Sequence, residues 1–255
     1  MSFNLYLLSF SPLEQFQISP IFSCTCFKFN FSFSNFTLFL IFSFFLLFLF
    51  FRLVIFKIKI FPQNFQLICE GLYFLVGNML KDNLGKKGEV FLPVFFVLFL
   101  IVLICNLLGM IPYSFTITSH LFFTFFLAFI IFFGITYIGI YSHKLNFLNI
   151  FLPKNTPVFI IPLLVVIELI SYIIKIFTLS IRLFANITSG HALLKIIAGF
   201  TWVMISVSGY LSLIGLIPIL LLFLLISLEL GIAFLQAYVF TLLSCIYLND
   251  VLETH

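Results

Sequence analysis

A chain of 255 residues that is 64% hydrophobic and only 8% charged, with a mean hydropathy of +1.32, is too apolar for a water-soluble domain, whose apolar share lies nearer about 45–50%. Several uninterrupted apolar stretches approach the roughly 20 helical residues that cross a bilayer, which makes this an integral membrane protein. The formal charge of +4 is spread thinly and excludes a nucleic-acid-binding patch.

The five cysteines (Cys24, Cys26, Cys69, Cys105, Cys245) are scattered, and Cys24 with Cys26 forms a lone C-x-C, so neither a metal site nor a disulfide framework is expected. The first basic residue is Lys28, which provides neither the charged n-region of a signal peptide nor an Arg-rich transit peptide. If the protein is organellar, it is expected to be made inside the organelle. The 41 phenylalanines, whose codons are T-rich, fit that expectation.

In chain order, residues 1–34 are mixed in polarity, carry a single acid at Glu14, and read as a segment at or outside one membrane face. A first span is expected over 36–56, closed by Arg52, Lys57 and Lys59. Residues 62–84 interleave Gln63, Gln66, Glu70, Asn78, Lys81 and Asp82 with apolar side chains, the pattern of a helix lying in the interface. Gly85-Lys86-Lys87-Gly88 forms a basic turn. The concentration of Lys and Arg between the first and second spans assigns this loop to the cytoplasmic or matrix side, with the N-terminus outside. A second span over 90–109 ends in Asn106-Leu107-Leu108-Gly109-Met110-Ile111-Pro112-Tyr113, where Gly and Pro stop the helix. A third, over 121–141, returns to His143, Lys144 and Lys154, and His120 and His143 are read as interfacial.

Two further helices are expected over 158–198 and 208–248, parted by the stretch from Gly199 to Gly209. At 1.5 Å per residue each is about 60 Å long, twice the hydrocarbon thickness, so they must tilt, break or lie along the membrane. Pro218 is placed to kink the second. The fold class is therefore all-α, a polytopic membrane protein in one integral membrane domain. It has an N-terminal span, an interfacial amphipathic helix, two further spans and a long, membrane-inclined C-terminal hairpin.

The chemistry gathers on that hairpin. Arg182 is a permanent cation in an apolar run, and holding it at mid-membrane depth costs at least about 2.5–3.5 kcal/mol, which makes it a functional residue by default. At 100° per residue, Glu168, Lys175, Thr178, Asn186 and Ser189 fall within about 40° of Arg182, a stripe about 32 Å long that can line an aqueous path or face a partner. His191 falls about 180° away, on the opposite face, with Lys195 one turn further. On the last helix Glu229, Gln236 and Asp250 share a face. An antiparallel hairpin brings His191 toward Glu229 as a titratable pair suited to proton relay.

Other readings stand beside this one. Arg182 can pair with Glu168 or Glu229 merely to neutralise charge, Asn186, Gln236 and Ser189 can be interhelical packing devices, and Lys175 and Lys195 can snorkel to the interfaces. The first of these makes the protein a non-conducting structural membrane subunit of a respiratory complex. A self-contained channel would need symmetric pore-lining copies that one asymmetric stripe does not suggest. No H-E-x-x-H, P-loop or nucleophile elbow is present, so no catalytic site of its own and no cofactor are expected.

Arg182-Leu183-Phe184-Ala185-Asn186 followed by Gly190-His191, and then Gln236-Ala237-Tyr238-Val239-Phe240, resembles subunit a (subunit 6) of F-type ATP synthases. Asn106-Leu107-Leu108-Gly109 with Pro112-Tyr113, and Ser11-Pro12-Leu13-Glu14-Gln15-Phe16, extend the likeness in the same order over most of the chain. The Gly-His ending, with Glu229, is of the mitochondrial and alphaproteobacterial type; Lys175-Ile176 departs from the Arg-Pro of many relatives. The resemblance implies a stator that works with the c-ring and with other membrane and peripheral-stalk subunits in the lipid bilayer. The location implied is the mitochondrial inner membrane, with a bacterial plasma membrane as the alternative. It also implies that Arg182 separates two half-channels, Glu229 and His191 serving the outer one and Glu168, with Asp250, the inner one, while Asn186 and Gln236 flank the arginine.

Overall fold

The computed structural model describes residues 12–26, 29–56, 62, 64–111, 114–144, 161–206 and 215–252. Ser11, Lys28, Lys57, Lys59, Gln63, Pro112, Tyr113, Lys154 and Gly209, named above, lie outside this set. Among the described residues six α-helices follow in order: α1 (Asn35–Phe56), α2 (Asn64–Leu84), α3 (Leu92–Gly109), α4 (Leu121–His143), α5 (Ile161–Ser206) and α6 (Leu216–Leu252). Among the described residues, α1, α4, α5, α6 and the stretch Gly88–Gly109 containing α3 are long and apolar enough to cross a membrane. The protein is an all-α polytopic membrane protein.

Ahead of α1 stands an element that the sequence reading left unspecified. Strands β1 (Pro20–Cys26) and β2 (Phe29–Ser34) pair antiparallel, with Phe22 opposite Phe33 and Ser23 opposite Ser32. The strict alternation Phe29-Asn30-Phe31-Ser32-Phe33-Ser34 has the period of a strand, which is why these residues do not extend the helix behind them. Asn35 makes the junction. Its Oδ1 accepts from the backbone N–H of Phe36 (3.0 Å) and of Ser19 (3.1 Å), and its Nδ2 donates to the carbonyl of Gln17 (3.2 Å), so one side chain ties the start of α1 to the segment leading into β1. Ser34 Oγ accepts from the Thr37 N–H (3.5 Å) and Thr37 Oγ1 from the Ser34 N–H (3.0 Å) as a reciprocal cap.

α1 is almost pure Phe, Leu and Ile, and among its described residues only Ser43 is buried. In water such a surface would be an aggregation site; in hydrocarbon it faces its own kind of solvent. The α2 helix stops at Gly85, whose φ of +60° is a left-handed conformation that glycine adopts without penalty.

The core lies where α3 and α6 meet α2, α4 and α5. Phe99, Leu100, Val102, Val76, Leu80, Leu183, Phe240 and Leu248 are essentially inaccessible there, and Ala128, Ala233 and Ala237 let backbones approach closely. Among the described residues, buried hydrogen bonds link helices: Thr241 Oγ1 donates to Met79 Sδ at 3.8 Å, joining α6 to α2. Asn106 Nδ2 donates to the Ala233 carbonyl at 3.3 Å, joining α3 to α6, and the hydroxyls of Thr124 and Ser180 meet at 3.1 Å, joining α4 to α5. Each contributes about 0.6 kcal/mol on average in a membrane protein.

α5 has 46 residues and α6 has 37, about 69 Å and 56 Å of helix, far beyond the roughly 30 Å of hydrocarbon. Partner positions fall along α6 as they rise along α5 (Lys175 with Asp250, Asn186 with Gln236, Gly190 with Glu229), so the two are antiparallel. α5 runs on through Gly199, where an interruption was expected, to Ser206. A single helical glycine costs only about 1 kcal/mol against alanine, and a chain in lipid keeps its backbone groups paired by staying helical. Pro218, expected to kink the last helix, sits in the first turn of α6, where its missing N–H would have no intrahelical partner.

Candidate functional site

Leu179, Ser180, Leu183 and Ile187 form the buried ridge of α5 and fix the rotation of the helix. With that ridge inward, Thr178, Arg182, Asn186 and Ser189 are exposed on the adjoining face, and Lys175 and Glu168 continue the line, half-buried. The packing of four small or apolar side chains thus holds a guanidinium on the outer surface of a membrane helix. Among the described residues Arg182 makes no ion pair with Glu168 or Glu229. Its charge and that of Asp250 both act on the Tyr247 hydroxyl of α6. That reach toward the start of α5 follows from the direction in which helical side chains lean.

One turn beyond Arg182, Asn186 Nδ2 donates to Gln236 Oε1 at 2.9 Å across the hairpin, and Gln236 is only 5% exposed. Two turns the other way, Lys175 Nζ lies 3.4 Å from Asp250 Oδ2 and 5.0 Å from the centre of the Tyr247 ring. In the sequence Lys175 and Asp250 belong to the faces of two different helices; the fold joins them.

Glu229 is 5% exposed and rests on Gly190. A Cβ at position 190 would lie 3.1 Å from Glu229 Cδ and 3.2 Å from Cγ, and closer still to Oε1, so the carboxyl group occupies the room that a missing side chain leaves. His191, the next residue, presents Nε2 to Gly109 at the end of α3, 3.8 Å from where a Cβ there would stand. Its ring meets Phe16 edge-on, with centroids 6.4 Å apart and planes at 71°. The hairpin therefore brings His191 and Glu229 to one level, but no hydrogen bond joins them: His191 Nε2 and both Glu229 oxygens are buried without a partner among the described residues.

Asn106 Oδ1, Thr116 Oγ1 and Thr118 Oγ1 are also buried without partners among the described residues. They belong to the end of α3 and the 3-10 turn that follows, and Thr116 approaches Gly109 so closely that a Cβ there would meet its Cγ2 at 2.7 Å. Buried polar atoms that no protein group satisfies are the groups that ordered water serves. Thr116 and Thr118 were not singled out in the sequence; their signal was the uncharged stretch from Ser114 to Ser119. His120, read as interfacial, is half-buried, stacked on Phe115 (centroids 5.1 Å) and edge-on to Phe36 (5.5 Å), and this burial lowers its pKa below the ordinary imidazole value. Among the described residues no group of His, Cys, Asp and Glu is arranged to hold a metal ion.

Residues 36–249 match the protein family described as ATP synthase A chain. Over 245 residues, 96% of this chain and 97% of the relative, the sequence is 56% identical to ATP synthase subunit a of Chondrus crispus.

Proposed function

The chain belongs to the ATP synthase A-chain family and is a subunit of the membrane sector of an F-type ATP synthase; from that premise we propose that it is the proton-conducting stator. In this reading it lies in the mitochondrial inner membrane and is encoded within the organelle. It offers two half-channels to a c-ring, is held by other membrane and peripheral-stalk subunits, and has no catalytic site of its own.

The observation that carries the proposal is the exposed Arg182, unpaired with any carboxylate among the described residues, on a helix otherwise built for lipid. A scaffold whose polar stripe served only to pair helices would match that charge to Glu168 or Glu229. An unmatched surface cation is suited instead to a carboxylate supplied by a partner. At about 4 Å and an effective dielectric of about 20 the attraction is about 4 kcal/mol, enough to hold an approaching c-ring carboxylate ionised. That carboxylate must release its proton before passing Arg182 and take another before it turns back into lipid. Glu229 and His191 stand about 14 Å along α5 on one side of the cation and Glu168 about 21 Å on the other, so the entry and exit carboxylates are offset. Each proton that crosses delivers about 2.3 kcal/mol per 100 mV. Arg182 is not consumed; Asn186 and Gln236 brace the hairpin beside it.

The test is ATP-driven proton pumping in membrane vesicles carrying Arg182→Ala. The expected result is assembled complex without pumping, and normal pumping would remove the proposal.

A further inference from the structure

The 3-10 turn Pro12–Phe16 is at the opposite end of the chain from α5, yet it packs against that helix. Phe16, half-buried, supplies an edge-on contact to the His191 ring. At its Nε2 end the ring finds no hydrogen-bond partner among the described residues, where it stands over the bare backbone of Gly109. A helical side chain in that situation is distributed over its staggered rotamers unless packing selects one. Here the packing comes from two directions. Gly109, with Thr116 drawn close against it, forms one wall, and Phe16 forms the other.

We propose that Phe16 is a positioning residue: the N-terminal turn holds the His191 imidazole over Gly109, at the level where Glu229 sits on Gly190, and so governs proton transfer between His191 and Glu229. The proposal rests on the reading of His191 and Glu229 as parts of the outer path. It gives the N-terminal turn a role in conduction, although the turn precedes every membrane helix. An edge-on aromatic contact is worth about two- to twelvefold in the population of the orientation it holds. The rate through His191 should fall by a factor in that range when the ring is removed.

The test uses vesicles that contain the complete ATP synthase, with ATP-driven pumping normalised to assembled complex on native gels. Phe16→Ala should lower pumping about two- to tenfold, Phe16→Tyr should restore it because the ring edge remains, and Phe16→Leu should not, although it keeps the apolar bulk. In a His191→Ala background, Phe16→Ala should add nothing, because the group it positions is gone. Phe16→Leu carries the same test if the alanine variant depletes the complex. Wild-type pumping by Phe16→Ala or Phe16→Leu beside an impaired His191→Ala overturns this proposal alone. So do multiplicative effects of the two changes. Normal pumping by His191→Ala overturns it together with the reading it rests on.

Discussion

Replacing Gly190 with alanine adds one methyl group at the place where α5 carries Glu229. The new Cβ would stand 3.1 Å from Glu229 Cδ and 3.2 Å from Cγ, against an optimum of about 3.5–4.0 Å for carbon pairs, and nearer still to Oε1. At 5% exposure Glu229 has little room to retreat, so the carboxyl group or the hairpin must move. Overpacking of this kind costs about 1–3 kcal/mol, partly offset by the roughly 1 kcal/mol that alanine gains over glycine in a helix. The displaced group is the proposed outer relay. If the overpacking falls wholly on the conducting arrangement, pumping drops about five- to hundredfold. Gly134→Ala in α4 is the control, because a Cβ there meets nothing within 4 Å. It should leave pumping unchanged and the complex equally or slightly more stable. Both variants are compared by ATP-driven pumping and by the thermal stability of the solubilised complex. A Gly190→Ala complex that pumps like the Gly134→Ala complex would refute the placement of Glu229 on Gly190.

Other consequences can be checked on the same material. Gln236→Leu and Asn186→Leu each leave an amide unpartnered, and a double-mutant cycle on thermal stability should give a coupling of about 0.6–1.7 kcal/mol; strictly additive effects would contradict the 2.9 Å bond. Lys175 and Asp250 are 28% and 52% exposed, so the cycle between Lys175→Met and Asp250→Asn should give less than about 1 kcal/mol and shrink with salt. A large, salt-insensitive coupling would place the pair in a far drier setting. Burial of His120 disfavours its charged form, so the unfolded chain binds the extra proton first as pH falls below about 6.5. Stability attributable to His120 is thus present above that pH and lost through the window beneath it. His120→Phe should flatten the acid-side fall of the melting temperature, and a profile identical to wild type would count against it.

The membrane helices were legible because hydrocarbon imposes a crude and unambiguous rule, a long apolar run, and α1 and α4 obey it with few exceptions. The excess length of the last two helices was legible for the same reason, from arithmetic against the bilayer thickness. Where a second rule competed, the sequence misled. Gly199 and Pro218 carry the residue types of breaks, but the demand for internal hydrogen bonding in lipid kept Gly199 helical, and position in the first turn made Pro218 harmless. The β1–β2 alternation is present in Phe29 to Ser34, but residues 1–34 were read only as mixed in polarity, at or outside one membrane face. At the site, helical periodicity alone separated the face of Arg182 from that of His191. It could not reveal that Gly190 makes the seat for Glu229, that Lys175 meets Asp250, or that Asn106 Oδ1, Thr116 Oγ1 and Thr118 Oγ1 are buried without partners among the described residues. These depend on which helices meet and at what height, information that no single helix carries.

The central claim is that the charge of Arg182, rather than its bulk or its hydrogen bonds, gates proton transfer. Arg182→Gln keeps a polar, hydrogen-bonding side chain and removes the charge, and ATP-driven pumping per assembled complex measures the difference directly. The account predicts that this variant assembles and pumps no protons. Pumping at the wild-type rate by Arg182→Gln would contradict it.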